Sequence, residues 1–218
     1  MTEEQKPAEF TSTLHTQIIM DGFDLLLTAC LGIGLSAACG FRVFVPMLIL
    51  SIAANSGHIT LASGFDWIGS TPALVTFGVA TALEIGAYYV PWLDNLLDSI
   101  ASPTAVVAGT VVTASVVADV SPLMQWSMAL IAGGGAAGAV QATTVLVRGT
   151  STAGTGGLAN PLVSTAELGG SVVMSVLSIF LPILAVGLAV GVVGFVGYKI
   201  HSRRTAAPEA GTLEQSAS

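Results

Sequence analysis

Charge is scarce in this sequence. Only 9% of its 218 residues are Asp, Glu, Lys or Arg, against roughly 25% in a soluble domain. Lys and Arg together number 6, too few for the basic surface that binds a nucleic acid. Histidine occurs only at His15, His58 and His201, far apart, which removes any metal-ligand spacing. The two cysteines, Cys30 and Cys39, lie nine positions apart in one apolar segment. On a helix that is roughly 13 Å, too far for a disulfide between them. No nucleophile elbow, dinucleotide fingerprint or Gly-Lys-Ser/Thr phosphate loop is present, so nothing here argues for an enzyme, a metal or a cofactor.

What remains is apolar. Hydrophobic residues make up 53% of the chain, with 25 glycines, and the mean hydropathy is +0.82. These figures exclude an ordinary soluble domain and a disordered chain. They predict an all-α polytopic membrane bundle whose first partner is the lipid bilayer.

At about 20 residues per crossing, six apolar segments emerge: 24–54, 72–91, 103–119, 122–147, 162–180 and 182–200. Pro46, Pro91 and Pro182 are expected to break or bound helices, because proline lacks a donor and clashes with the preceding turn. Residues 1–23 read as a polar tail without the basic region of a secretory signal, and 201–218 as a disordered tail. Lys6, Arg148, Lys199, Arg203 and Arg204 can share one side of six crossings, while the loops 55–71 and 119–121 carry no Lys or Arg. The expectation is a multi-pass protein of the cell (inner) membrane with both termini cytoplasmic.

The two halves echo each other. Thr71-Pro72 parallels Asn160-Pro161, Glu84-Ile85-Gly86 parallels Glu167-Leu168-Gly169, and Ser99-Ile100 before Pro103 parallels Ser178-Ile179 before Pro182. Ala37-Ala38 pairs with Ala136-Ala137. Together these suggest a 3+3 inverted repeat, 24–119 against 122–200, as in many secondary transporters. Small residues at four-residue spacing, such as Gly32, Ser36 and Gly40 or Gly187 and Gly191, let helices approach closely in lipid. They permit a homodimer without requiring one.

Arg42, in Cys39-Gly40-Phe41-Arg42-Val43-Phe44-Val45-Pro46, is flanked by apolar sequence on both sides. A cation in that setting faces a partner or a watery cavity. Pro46 cannot bond the Arg42 carbonyl, as in a discontinuous helix. Glu84 and Glu167 are the acids able to neutralise Arg42; two acids and one arginine leave one acid spare. A spare acid in an apolar bundle is a candidate proton carrier or cation ligand. The alternative is a purely structural ion pair. Tyr88 shares the Glu84 face, one turn on. Asp94 and Asp98 lie on the polar side of an amphipathic connector, 91–100, read as a short interfacial helix. Residues 149–161, rich in Gly, Thr and Ser, read as a flexible loop or a re-entrant element.

Three stretches resemble a known family. They are Gly34-Leu35-Ser36-Ala37-Ala38-Cys39-Gly40-Phe41-Arg42, then Tyr88-Tyr89-Val90-Pro91-Trp92-Leu93-Asp94-Asn95-Leu96-Leu97-Asp98, then 151–161. The chain resembles, over about 25–200, the bacterial integral-membrane family catalogued as domain of unknown function 4126. That resemblance implies a multi-pass membrane protein and transfers no catalytic residue. The expected function is a small secondary transporter or permease for an unknown solute or ion. In it Arg42 binds an anionic group or switches between carboxylates, and Glu84 couples to a proton or cation. The rivals are a non-transporting membrane scaffold or accessory protein, and an ion channel.

Overall fold

In lipid, backbone donors and acceptors must be satisfied within the chain, so apolar segments wind as helices. The computed structural model describes residues 5–87, 91–156 and 158–206, with side chains described for 22–87, 100–156, 158–199 and 202. Among the described residues there are seven long helices, a short 3-10 helix at Asp66–Gly69 and no strand. They are α1 (Gln5–Cys39), α2 (Phe44–Asn55), α3 (Thr71–Ala87), α4 (Pro91–Val116), α5 (Pro122–Thr155), α6 (Asn160–Phe180) and α7 (Pro182–Ala206). Four of them, α1, α5, α6 and α7, are long and apolar enough to cross a membrane; α2, α3 and residues 100–116 of α4 are shorter and apolar. This is the helix content of a membrane protein.

α1 sits at the centre, against α4, α5, α6 and α7. Its partners run in directions that the contacts define. Gly32 lies against Thr113 and Val116, and Ser36 Oγ donates to the Gly109 carbonyl at 2.6 Å, so α1 and α4 are antiparallel. Gly34 lies against Ser178, and Ser171 Oγ donates to the Ala38 carbonyl at 3.1 Å, so α6 is antiparallel too. Lipid offers no hydrophobic drive for these contacts. Close approach, dispersion and interhelical hydrogen bonds hold them.

The segment 24–54, expected as one long span, is two helices. Gly40 cannot carry a side chain, because a Cβ there would sit 2.5 Å from the Ala137 carbonyl and 2.6 Å from Val140 Cβ. Around it the last turn of α1 tightens: Gly40 N–H reaches the Ala37 carbonyl and Phe41 N–H the Ala38 carbonyl. The chain then reverses. α2 runs back beside α3, with Ser51 Oγ donating to Ile68 O at 2.6 Å and Asn55 Nδ2 to Gly69 O at 2.7 Å. Pro46 does not make the break. It lies within the first turn of α2, where a missing donor costs least.

Two further expectations change. Pro103 opens no helix; it lies inside α4, which runs unbroken from the connector at Pro91. The stretch 149–155 is not a loop, since α5 continues to Thr155 and ends at Gly156, whose φ of 64° favours glycine. α5 is one rod whose residues Ala129–Gly134 wind as a π-helix, pressed on Thr110, Thr113 and Gly109 of α4. Pro182 does open α7, and Leu181 leaves the helical region at φ −140°, ψ 64°.

Candidate functional site

The break after α1 leaves two needs unmet: a desolvated guanidinium at Arg42, and backbone donors at the start of α2. Arg42 is 2% exposed. Its Nη2 donates to the Ser164 carbonyl of α6 at 2.9 Å and lies 3.8 Å from Glu167 Oε2. The α2 donors are met by a carboxylate from another helix. Val43 N–H donates to Glu84 Oε1 at 2.8 Å, and Phe44 N–H to Oε2 at 3.1 Å. A carboxylate at a helix N-terminus also meets the positive end of the helix dipole.

Glu167 belongs mainly to a different arginine. Arg148 of α5 donates from Nε to both Glu167 oxygens, at 3.0 and 3.2 Å, and from Nη2 to Oε2. The same Nη2 donates to Ser164 Oγ at 3.1 Å. Arg148 and Glu167 are each 6% exposed. Ser164 and Glu167 stand three apart on α6 and so share a face; Ser164 serves both arginines, by carbonyl and by hydroxyl. The cluster thus draws on the break after α1, α3, α5 and α6. Its formal charges, two arginines and two glutamates, cancel. Losing one member of such a buried set costs about 3–5 kcal/mol.

Two expectations are corrected here. Arg148 is not a cytoplasmic loop charge; it is buried, because α5 extends past it and α6 folds back alongside. Both acids stand near Arg42 as expected, but neither is spare, since Glu167, 3.8 Å from Arg42, is also bonded to Arg148 and Glu84 is held by the α2 donors. The sequence reading missed Arg148 and Ser164. One signal was available: Ser164, Glu167, Ser171, Ser175 and Ser178 follow a three-and-four spacing, and all five are buried on the α6 side that meets α1.

The remaining site residues stand apart. Tyr88 lies outside the described residues. Asp94 and Asp98 lie on α4, with side chains outside the described ones. Pro91 and Pro182 begin α4 and α7. Cys30 and Cys39 are free thiols. Among the described residues no three His, Cys, Asp or Glu stand together as metal ligands.

The small-residue stripes divide. Those of α1, α4 and α5 are packed, whereas a Cβ added at Gly86, Gly187 or Gly191 would meet no atom within 4 Å. An apolar groove of about 780 Å³ runs between α1 and the α6–α7 junction, lined by Leu27, Leu31, Phe180 and Leu184 among others. No curated protein and no solved structure matches the chain. A family profile described as Domain of unknown function (DUF4126) matches residues 29–201.

Proposed function

We propose that this chain, which belongs to the family of domain of unknown function 4126, is a small membrane permease or secondary transporter. One observation carries the reading. Two buried arginines, Arg42 in the break between α1 and α2 and Arg148 on α5, converge on one carboxylate where the ends of α1 and α2 lie inside the bundle. Buried ionisable groups in membrane helices are costly. Interrupted helices with exposed backbone ends are how transporters present charge to a solute. Glu167 is within reach of both Arg42 and Arg148. It is the group that changes partner as α5 and α6 shift against the α1–α2 break. Arg42 meets an anionic group or exchanges carboxylates, and Glu84 couples to a proton or cation.

The same reading sets the topology. α1 and α7 are both antiparallel to α6, so they run in the same direction. With Lys199, Arg203 and Arg204 cytoplasmic, the proposal puts the start of α1 outside, an alternative to the expectation of both termini in the cytoplasm. The loop 56–70 and residues 117–121, which hold Asp66 and Asp119 and no Lys or Arg, then also lie outside. The proposal keeps an inverted repeat, at other bounds than the sequence suggests. α3 and α6 run oppositely, as do α4 and α7, but α1 and α5 run alike. α2, opposed to α5, takes the first place in the repeat, and α1 is an added central helix.

The test is flux in proteoliposomes loaded with a pH dye and challenged with a panel of small ions and metabolites. The parent is expected to move at least one solute, and Glu167→Gln to lose that flux while remaining folded. Silence across the panel from folded, inserted parent protein overturns the reading in favour of a membrane scaffold.

A further inference from the structure

The first turn of a helix presents backbone donors that pair with anions. In α2 the donors of Val43 and Phe44 are engaged by a carboxylate that is not local. It arrives on Glu84 from near the end of α3. A tethered carboxylate of this kind occupies a place that a free anion would also fit. The charge of Arg42, 2% exposed, acts on the same carboxylate.

A second observation points to a ligand independently. α3 buries Ala73, Phe77 and Thr81, the face that continues one turn later to Glu84. Thr81 is 9% exposed, and its hydroxyl oxygen is shielded with no hydrogen-bond partner. A threonine in a helix usually donates to a carbonyl one turn back, as Thr76 does to Pro72. A shielded donor without an acceptor is costly. It marks a position where an acceptor is missing, one turn from the carboxylate.

We propose that the start of α2 is a binding place for a small inorganic monoanion, of the size of a halide or nitrate, and that Glu84 occupies it as the chain's own substitute. The proposal deepens the permease reading and rests on it. The exchange balances. One proton from water joins the Glu84 carboxylate, the neutral carboxyl releases Val43 N–H and Phe44 N–H, and one anion takes both donors together with the Thr81 hydroxyl. The proton leaves a hydronium ion of the aqueous phase, whose O–H bond is replaced by that of the carboxyl; otherwise only hydrogen bonds change, and the charge of the cluster is the same before and after. The titratable and charged groups facing Glu84 are Arg42 at the break and Cys39 at the end of α1, with Arg148 of α5 and Glu167 of α6 across the cluster. The described side chains of α2 and α4 add none.

Linkage then requires that anion binding take up a proton and that anion affinity fall as pH rises. The experiment is calorimetric titration of the full chain in nanodiscs with sodium bromide, at several pH values, with proton uptake followed by a dye in weak buffer. The parent should bind bromide most tightly at acid pH, and above the Glu84 titration it should take up about one proton per bromide and lose about tenfold in affinity per pH unit. Glu84→Ala should bind bromide without proton uptake and with a flat pH profile. Glu84→Gln keeps the side-chain volume and carries the same expectation should the alanine variant not fold. Thr81→Val should weaken bromide severalfold without altering the pH slope. Variants at Glu84 that bind no bromide, or that keep the parent's slope, overturn the proposal. Absent bromide binding alongside intact solute flux refutes the anion site and leaves the permease standing. Linked bromide binding without flux of any solute refutes the permease and leaves the site.

Discussion

α1 and α7 offer the same mean hydropathy over windows of equal length, yet 39% of the α1 window is buried inside the bundle and only 6% of the α7 window. In water, equal apolarity would imply roughly equal burial. In a bilayer apolarity only admits a helix to the solvent; it does not choose its neighbours. What separates the two is where small residues find something to touch. Gly32 and Gly34 of α1, and Gly40 just after it, each lie against a partner helix, while a Cβ added at Gly187, Gly191, Gly194 or Gly197 of α7 would meet nothing within 4 Å. Polarity separates them too. α1 has Ser36 bonded to α4 and leads into the break at Arg42, whereas α7 has no serine, threonine or charge between Pro182 and Gly197.

Four substitutions bear on that contrast, read by thermal unfolding in detergent with a thiol-reactive dye that reports exposure of buried Cys39. Glu167→Ala removes the carboxylate that ties the break after α1 to α5, and should destabilise most, by about 3–5 kcal/mol. Gly40→Ala should follow at about 1–3 kcal/mol, because its Cβ meets the Ala137 backbone carbonyl, which no rotamer change relieves. Ser171→Ala deletes one hydroxyl bond from α6 to α1 and should cost about 0.6 kcal/mol. Gly191→Ala, the α7 counterpart of Gly40→Ala, should stay within about 0.5 kcal/mol. Equal losses for the two glycine variants would erase the distinction between an inner and an outer helix. A large loss for Gly191→Ala alone would place a further partner on α7.

Much of this architecture was legible from composition and proline. The scarcity of charge pointed to a helical membrane protein, and Pro182 placed the α6–α7 boundary, since no single helix of that length fits a bilayer. The reversal after α1 was half legible. Arg42 marked the place, but Pro46 drew attention four residues too far along, because sequence shows the breaker and not the crowding of Gly40 against α5. Arg148 was misread for a physical reason. A lone cation before a Gly- and Thr-rich stretch looks like a loop charge, and only helix α5 running on to Thr155 draws it inside. The serine spacing on α6 was visible, but serines in lipid-facing and in buried stripes have the same composition. The pairing of each carboxylate was not legible, since both acids suited one arginine equally well.

The π-helical segment of α5 has a consequence that can be stated as an angle. A π turn holds about one residue more than an α turn, and each residue in an α-helix advances the chain by about 100°. Ala129–Gly134 therefore sets the rotational phase between the two ends of a 34-residue rod. Upstream, Gln125 Nε2 donates to the Ala114 and Val117 carbonyls and clamps one end to α4. Downstream, Arg148 must point at α6. Were the same residues to wind as plain α-helix, the extra residue would turn everything beyond it by about 100°, enough to carry Arg148 away from Glu167 with no change to either residue, and deleting Ala132 would restore the phase. One residue of slack, fourteen positions before the arginine, keeps the two ends of the rod in step.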